Sequence, residues 1–289
     1  MANASSTPRL SEMKYRVVKP LGSGAGSTIF EISDKTAGGK RYALKVVKRD
    51  DEDENPNKYI EQARNEFNVA QKLKHPAIAR IYDLRARRSW FKVAGVDLLM
   101  ELVDGKTLDE IEAPEMGQLT LMFCQVASAL AHMHRRGVFH GDMKPQNIML
   151  SKNGQVKLID FGTCWIRGED KNRVQGTPQY MAPEQATEKT VDARTDLYNL
   201  GATMYRMFTG RFANQGIPKA GDGSRKLPTP TQINPKIPKP LSELIMTCLE
   251  ISPERRPAGM FETHHQLVEI AKQMGLHPED LKGADDEDD

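Results

Sequence analysis

Residues 140–147, His-Gly-Asp-Met-Lys-Pro-Gln-Asn, contain three side chains whose types and spacing could move a phosphoryl group. Asp142 could accept a hydrogen bond from an attacking hydroxyl, Lys144 could neutralise charge on the transferring group, and Asn147 could ligate Mg²⁺. Phosphoryl transfer needs positioning and charge neutralisation from a protein rather than covalent chemistry. A short polar run of this kind therefore indicates that class of reaction.

A second carboxylate and a strand lysine extend the pattern. Asp160 ends the apolar stretch VKLIDFG and is the second predicted Mg²⁺ ligand, because Mg²⁺ binds few protein oxygens beside phosphate and water. Lys45 lies on the alternating stretch YALK, and Glu66 lies in the middle of the following helical segment. An ion pair between these two would aim the ammonium at the α- and β-phosphates of a nucleotide.

A glycine turn precedes this lysine. Gly22, Gly24 and Gly26 stand between two beta-like stretches in LGSGAGS, and glycine lets backbone N–H groups approach phosphates closely. A Rossmann turn would lead into a helix, whereas this turn leads into STIFEIS, which is beta-like. A dinucleotide-binding fold is therefore excluded.

The elements that must position these residues fall into two regions. Before residue 105 the chain reads as strands with one helix over residues 57–74, and from about residue 106 the pattern becomes helical. The helical stretches LTLMFCQVASALAHMHRRG and TDLYNLGATMYRMFTG each end at a glycine typical of a C-cap. The predicted organisation is a disordered segment over 1–12, a domain over 13–276 with an N-lobe (13–100), a hinge (101–105) and a C-lobe (106–276), and an acidic tail over 277–289.

Composition narrows the class of protein. The net charge of +2 over 289 residues gives no general argument for nucleic-acid binding. Three widely spaced cysteines suggest neither a zinc site nor a disulfide framework. Because the polar start does not resemble a signal peptide and no apolar run reaches the ~20 residues of a membrane span, a cytoplasmic location is predicted. Two acidic runs, 50–54 and 285–289, fit either solvated segments or docking sites for a basic partner.

Taken in order, these motifs resemble those of the Hanks-type (eukaryotic-like) serine/threonine protein kinases, most of all the bacterial members, over about Tyr15 to Gly275. The resemblance implies an α+β bilobal fold, with a small antiparallel N-lobe sheet carrying one main helix and a larger, mainly helical C-lobe. The matching motifs are LGSGAG, YALK, RNEFNVAQKLKHP, HGDMKPQN, DFG, GTPQYMAPE, DLYNLG and RRP.

The resemblance also implies a role for each matching residue, with ATP and Mg²⁺ (or Mn²⁺) as cofactors and protein serine or threonine hydroxyls as acceptors. Lys144 and Thr177 fit the pattern of the serine/threonine members, in which this threonine contacts the residues corresponding to Asp142 and Lys144. The implied catalytic residues are Asp142 as base, Lys144 on the γ-phosphate, the Lys45–Glu66 ion pair and Thr177; the implied metal ligands are Asn147 and Asp160. The implied nucleotide-binding residues are Leu21, Gly22, Ser23, Gly24, Ala25, Gly26, Ile29, Ala43, Lys45, Met100 as gatekeeper, Glu101, Val103 and Met149.

Other matching residues are expected to support the structure. The resemblance implies a buried ion pair between Glu184 and Arg256 and a capping role for Asp196 near the catalytic run. His140 and His134 are expected to pack in the core rather than to react. For Ile29, Ala43 and Met149, ordinary core packing is an alternative to adenine contact, and both can hold at once.

Gly141 departs from the family pattern. The family places an arginine there, which pairs with a phosphorylated residue of the activation segment and so orders it. Here the segment over residues 164–176 contains no Ser, Thr or Tyr. Because both the arginine and a residue that could be phosphorylated are absent, we predict an enzyme that is not switched by phosphorylation of this segment.

Two rival classes share parts of this pattern. Small-molecule kinases of the aminoglycoside or choline type use His-Gly-Asp, but they lack the GTPQYMAPE segment and its RRP partner, which this chain has. A pseudokinase would lack at least one of Lys45, Asp142, Asn147 and Asp160, and all four are present. An active protein kinase is favoured, with its substrates and any dimer or scaffold partner left open.

Overall fold

The computed structural model describes residues 7–24, 26–90, 92–112, 114–169, 176–187, 191–214 and 227–277. The first of two compact units comprises the described residues of Met1–Lys74, Ala79–Asp104 and Asp160–Gly162; the second comprises those of His75–Ile78, Gly105–Ile159 and Thr163–Asp289. The chain passes from the first unit to the second between Asp104 and Gly105, at one end of the hinge predicted over 101–105.

The first unit is built on a five-stranded sheet in the order β1-β2-β3-β5-β4, in which every neighbouring pair is antiparallel. One helix, α1, accompanies it, so the small antiparallel sheet with one main helix is as predicted. The elements are β1 Tyr15–Gly24, β2 Ser27–Asp34, β3 Lys40–Lys48, α1 Lys58–Ala70, β4 Ile81–Ser89 and β5 Lys92–Met100.

The N-terminal segment contributes to the core of this unit. Leu10 is buried against Ile32, Leu44 and Leu99, and its backbone N–H donates to Asp83 Oδ2 over 2.7 Å. Burying a leucine side chain is worth about 1.5–3 kcal/mol, so Leu10 contributes to holding this segment on the sheet. The disordered segment predicted over 1–12 is therefore corrected: its described part, from residue 7, packs with the sheet.

Helix α1 places one polar residue on its buried face. Residues 60, 63, 66, 69 and 70 are buried, which is the spacing of one helical stripe, and the stripe includes Glu66. The helix ends at Ala70 rather than at residue 74 as the pattern predicts, because the Lys72 and Leu73 N–H groups bond to Val69 and Ala70 carbonyls in a tighter turn.

The second unit is mainly helical, as predicted for the C-lobe. Its described residues also contain a three-stranded sheet, β6-β8-β9, and a two-stranded ladder, β7-β10. Short 3₁₀-helices cover Leu108–Glu110, Pro145–Asn147 and Pro253–Arg255. The strands are β6 Gly105–Thr107, β7 Val138–Phe139, β8 Ile148–Ser151, β9 Val156–Leu158 and β10 Trp165–Ile166; the helices are α2 Met116–Arg135, α3 Pro183–Thr187, α4 Ala193–Thr209, α5 Pro230–Ile233, α6 Lys239–Cys248 and α7 Met260–Gln273.

The sequence signals explain the ends of the two long helices. Gly137 follows α2 at φ 68°, and Gly210 follows α4 at φ 71°, a conformation that glycine adopts without the steric cost of a Cβ. Asp192 caps the start of α4, accepting from the N–H groups of Arg194 and Thr195. No helix within the described ranges is both long and apolar enough to span a membrane.

Some sequence predictions fall outside the described residues. They concern the start of the N-terminal segment (1–6), Ala25 in the glycine turn, residues 170–175 of the segment predicted to lack a phosphorylation switch, and the acidic tail from residue 278.

Candidate active site

Lys45 and Glu66 meet in the first unit. Lys45 on β3 donates to Glu66 Oε2 on α1 over 2.7 Å, and both side chains are largely buried. Burial disfavours the ammonium, but the carboxylates of Glu66 and Asp160 outweigh it and raise the pKa of Lys45. The lysine is therefore charged and held at a fixed place on the sheet, as a phosphate-binding cation must be.

Asp160 occupies a strained turn in the same unit. Its φ of 67° lies in the left-handed region, which is costly for a residue with a Cβ. Asp160 Oδ1 lies 4.0 Å from Lys45 Nζ, and its side chain is 45% exposed. The carboxylate is thus presented to solvent beside a fixed cation, in a conformation that the surrounding fold must sustain.

Asn65 supports this turn and was not singled out from the sequence. Its side-chain amide donates to the Gly162 carbonyl over 3.2 Å and to the Phe161 carbonyl over 3.4 Å. Asn65 precedes Glu66 on α1, so one helix holds both the lysine partner and the backbone after Asp160. The sequence signal that could have identified Asn65 is its polar side chain next to Glu66 in the helical pattern.

The glycine turn connects β1 to β2. Gly22 pairs with Ile29, Ser23 with Thr28 and Gly24 with Ser27, so the strands stay paired up to the turn. Leu21, just before it, is 44% exposed.

Gly26 has a structural reason to be glycine. Its φ is 70°, and a Cβ built on it would lie 2.2 Å from the Tyr59 ring of α1. The carbonyl of Gly26 accepts from the Lys48 N–H over 3.1 Å. The absent side chain therefore lets an aromatic ring pack directly on the end of the turn.

The residues expected around adenine occupy β2, β3 and the end of β5. Ala43 pairs with Met100, the expected gatekeeper, and both are buried; Ile29 pairs with Lys45 and is half-buried. The Glu101 N–H donates to the Arg80 carbonyl over 2.8 Å, so any contact of the Glu101 backbone with a nucleotide would use its carbonyl. Val103 is half-buried.

Asp142, Lys144 and Thr177 form a closed hydrogen-bonded group in the second unit. Lys144 Nζ donates to Asp142 Oδ2 over 2.8 Å and to Thr177 Oγ1 over 2.9 Å. The Thr177 N–H donates to Asp142 Oδ1 over 2.8 Å. Both carboxylate oxygens are therefore engaged, and Asp142 is held in one orientation by two segments 35 residues apart.

Asn147 lies beside this group in the same loop. Its side-chain Nδ2 donates to the Asp142 carbonyl over 2.8 Å, which fixes the amide plane and assigns the side-chain oxygen as the end that can ligate a cation. Met149, expected to contact adenine, follows on β8 and is half-buried.

Asp196 caps the backbone that precedes Asp142. Its two carboxylate oxygens accept from the His140 and Gly141 N–H groups, each over 2.8 Å, as expected. His134 Nε2 also lies 2.7 Å from Asp196 Oδ2, a contact that the sequence pattern did not indicate. Burial opposes the charged form, but these bonds and the nearby histidine charges outweigh it and lower the pKa of Asp196.

The segment after Thr177 is fixed by a buried ion pair. Arg256 binds Glu184 through both terminal nitrogens, over 2.7 and 2.9 Å, and the Arg256 side chain has no exposed surface. The expected pair is thus present. Gln185, next to Glu184, was not singled out: its buried amide donates to the Gly141 carbonyl and accepts from the Ala182 N–H. Nothing in the local sequence marks that long-range bond.

Comparisons with known families and proteins show what this chain is similar to. The family described as "Protein kinase domain" matches residues 15–269. Serine/threonine-protein kinase PknA of Mycobacterium tuberculosis is 32% identical over 258 residues, which cover 84% of this chain and 58% of that protein. Serine/threonine-protein kinase PknB of Mycolicibacterium smegmatis is 30% identical over 279 residues, covering 92% and 44%.

A third relative is serine/threonine-protein kinase pkn2 of Myxococcus xanthus, 30% identical over 276 residues that cover 88% of this chain and 32% of that protein. The chain thus spans between 32% and 58% of the length of these bacterial relatives. The family predicted from the ordered motifs is confirmed by the match over most of the chain. The chain belongs to the protein kinase domain family.

Proposed function

We propose that the chain transfers the γ-phosphate of ATP to serine and threonine hydroxyls of proteins. The observation that carries the proposal is the closed group of Asp142, Lys144 and Thr177 in the second unit. It places a fixed carboxylate beside a fixed cation, which are the two groups needed where a hydroxyl attacks a phosphoryl.

In this proposal each residue of the group has one task. Asp142 accepts the hydrogen bond, and then the proton, of the acceptor hydroxyl, because its orientation is fixed before substrate arrives. Lys144 stabilises charge on the transferring phosphoryl. Thr177 connects Asp142 and Lys144 to the segment that the Glu184–Arg256 ion pair fixes. The residues on the side of the acceptor protein therefore keep a constant position relative to the reacting groups.

The first unit supplies the nucleotide-binding groups of the proposal. Lys45 binds the α- and β-phosphates because its charge is fixed by Glu66. The glycine turn over 21–26, with Ile29, Ala43, Met100 and the Glu101 and Val103 backbones, binds the rest of ATP together with Met149. Each part is supported by its position in the motif order, and Lys45 also by its contacts.

The residues expected to hold Mg²⁺ have suitable chemistry. Asn147 presents an amide oxygen whose orientation its Nδ2 bond fixes, and Asp160 presents a half-exposed carboxylate in a strained turn. Hard oxygen donors of this type suit Mg²⁺, and Mn²⁺ in its place. When bound, the cation would neutralise phosphate charge during transfer. Asn147 and Asp160 would hold it.

Serine/threonine specificity is supported by two observations. Lys144 and Thr177 are bonded to each other, which is the arrangement expected for that class. The three relatives carry serine/threonine-protein kinase in their names, although each extends well beyond the matched part. Protein partners and a cytoplasmic location stay predictions.

The test measures phosphate transfer from Mg-ATP to three matched peptide libraries whose only acceptors are Ser, Thr or Tyr. We expect transfer to Ser and Thr peptides, and a kcat lower by about 10²–10⁴-fold in Asp142→Asn. Glu243→Gln, an exposed carboxylate on α6, is the matched control and keeps full activity. Transfer to an aminoglycoside or choline but to no peptide would favour a metabolite kinase, and ATP binding without transfer would favour a pseudokinase.

We further infer that phosphorylation of the activation segment does not switch this enzyme. Besides the lack of Ser, Thr and Tyr over 164–176, the backbone of Gly141 is held at both ends: its N–H by Asp196 and its carbonyl by Gln185. Contacts that need no phosphate thus hold the backbone at the position where the family carries its arginine.

The start of the segment is also anchored without phosphate. Trp165 on β10 pairs with Phe139 on β7, and both side chains are buried with Val191 in one apolar cluster. Treating the purified enzyme with a protein phosphatase is expected to leave kcat unchanged. A loss of most activity would overturn this inference while leaving the kinase assignment intact.

A further inference from the structure

A group of basic side chains in the second unit has no part in the proposed reaction. The histidine–arginine cluster consists of His75, His132, Arg135, Arg136 and His264. Three of these, His132, Arg135 and Arg136, lie at or just after the end of α2. Helix α2 packs against α7 with its start beside the end of α7, so its own end lies beside the start of α7, which carries His264. The first, His75, lies in the short segment His75–Ile78 of this unit.

Hydrogen bonds assign the half-buried His75 ring and the buried His132 ring as neutral. The Nδ1 atom of His75 accepts from the Ala77 N–H over 3.1 Å, so its proton is on Nε2, which lies 3.2 Å from Ser128 Oγ. His132 Nδ1 lies 3.2 Å from Arg136, which can only donate. The two rings stack at 5.2 Å between centroids. The permanent charge of the cluster therefore comes from its arginines.

These charges repel rather than compensate one another. Burial, followed by the neighbouring basic side chains of His132, Arg135, His264 and Lys157, together lower the pKa of His75 to about 4. Burial and the charges of His265 and Arg135 lower the pKa of His264. All the neighbouring side chains that lower these two pKa values are basic.

Within the described residues, no acidic side chain pairs with the exposed Arg135. The Arg135 side chain makes no hydrogen bond or ion pair with any residue that the structure describes. Glu262, two residues before His264 on α7, instead accepts from the Ala258 N–H and the Gln266 amide. An uncompensated positive surface of this kind fits an anionic occupant.

The chain itself supplies an acidic segment of suitable length. Leu276, after the end of α7, lies beside Gly117 at the start of α2, since a Cβ on Gly117 would be 3.2 Å from it. From Gly117 to Arg135 the helix measures about 27 Å. The nine residues that follow His277, up to Asp286, span about 30 Å when extended, so residues 285–289, five consecutive acids, can reach the cluster.

We propose that the acidic run Asp285–Asp289 docks on the histidine–arginine cluster of the same chain. Tethering raises the local concentration of the run to the millimolar range, so a set of individually weak exposed ion pairs can hold it. The docking involves none of the residues placed in the catalytic group and stands apart from the proposed function.

The test follows His264 by NMR in the full chain and in a full-length variant with a neutral tail (D285N, D286N, E287Q, D288N and D289N). An anion near the ring stabilises the imidazolium, so the pKa of His264 is expected to be higher by about half a unit with the native tail. The difference should shrink as salt approaches about 1 M, where screening is short-ranged. Equal titration curves in both proteins would overturn the proposal.

Two further variants locate the contact. Arg135→Gln should abolish the tail-dependent difference, whereas Arg211→Gln, an exposed arginine of the same unit outside the cluster, should preserve it. A difference that survives Arg135→Gln would place the tail elsewhere.

Dilution and a peptide in trans identify the occupant. Docking within one chain gives the same pKa of His264 at all protein concentrations, while a shift that disappears on dilution indicates a second copy and refutes docking in cis. An acidic peptide of residues 283–289 should shift His264 in the neutral-tail variant and have little effect on the native chain. An equally large shift in both would mean that the cluster is open to an acidic segment of another protein, contrary to the proposal.

Discussion

Replacing Arg256 by methionine tests how the segment after Thr177 is held. Arg256 is fully buried and donates to both oxygens of Glu184 and to the carbonyls of Arg194, Glu250 and Ile251, over 2.7–3.2 Å. Methionine retains much of the volume and none of the donors. Glu184 would then keep a largely buried charge with its main partner removed.

The expected loss follows from that unpaired carboxylate. Removing one partner of a buried ion pair costs about 3–5 kcal/mol, since the remaining charge stays desolvated. For a unit of this size, 1 kcal/mol shifts Tm by about 2–4 °C, so Arg256→Met should lower Tm by about 10 °C. Arg194→Met removes an exposed ion pair with Glu254 and is the matched control, expected to cost less than about 1 kcal/mol.

The pH dependence gives a sharper check. Burial acts to raise the pKa of Glu184, but the bonds and charge of Arg256 outweigh it and hold the pKa below the ordinary value. In the native chain this stabilisation is present above the unfolded pKa of about 4.3 and is lost as pH falls through the lower folded pKa. In Arg256→Met burial is opposed only by the bonds from the Thr195 hydroxyl and the Glu184 backbone N–H, so the pKa of Glu184 rises and protonation relieves the cost. The stability difference should narrow from about pH 7 to about pH 5.

Urea denaturation followed by far-UV circular dichroism, with thermal scans at the same pH values, measures these differences. A loss below about 1 kcal/mol at neutral pH would refute the ion pair as the anchor of this segment. A deficit that stays constant across the acidic range would show that the loss arises from packing rather than from the stranded carboxylate.

Two other changes test local features. Gly141→Ala should destabilise the chain by about 1–2 kcal/mol because of its φ of 71°, and by a further packing cost because the new Cβ would lie 3.3 Å from Val191. Gly154→Ala is the control, since its φ of 84° brings the same backbone strain in open space. Equal urea midpoints for the two variants would contradict the packing cost at Gly141. Burial raises the pKa of Cys124 and of Cys248 to about 12, so both thiols should react slowly in the folded chain. Site-resolved mass spectrometry at about pH 8 should find them unmodified by a thiol reagent in the native chain and modified in urea. Rapid labelling of the native chain would contradict their burial.

Sequence motifs were most informative where chemistry fixes spacing. Asp142, Lys144 and Thr177 were expected to meet, and the Lys45–Glu66 pair was expected between a strand and a helix; the structure brings both sets together. Such residues sit in motifs whose order along the chain carries the information, so no tertiary detail was needed to find them.

Long-range packing escaped the same reasoning. Leu10 is a lone apolar residue in a polar segment, so nothing periodic marks it as part of the core. The Gln185 bond to the Gly141 carbonyl joins residues 44 apart, and the strained φ of Asp160 depends on Asn65 and the fold around it. Features of this kind arise from tertiary structure, which local patterns do not encode.

The Glu184–Arg256 pair has a consequence for synthesis on the ribosome. The two residues are 72 apart, and the arginine comes second. A nascent chain folds from its N-terminus as it emerges. Until residue 256 leaves the ribosome, the carboxylate of Glu184 has no cation to accompany it into the interior, and the segment after Thr177 cannot take its final place. Under the proposed function, phosphotransfer would therefore be deferred until nearly the whole of the matched domain has been made.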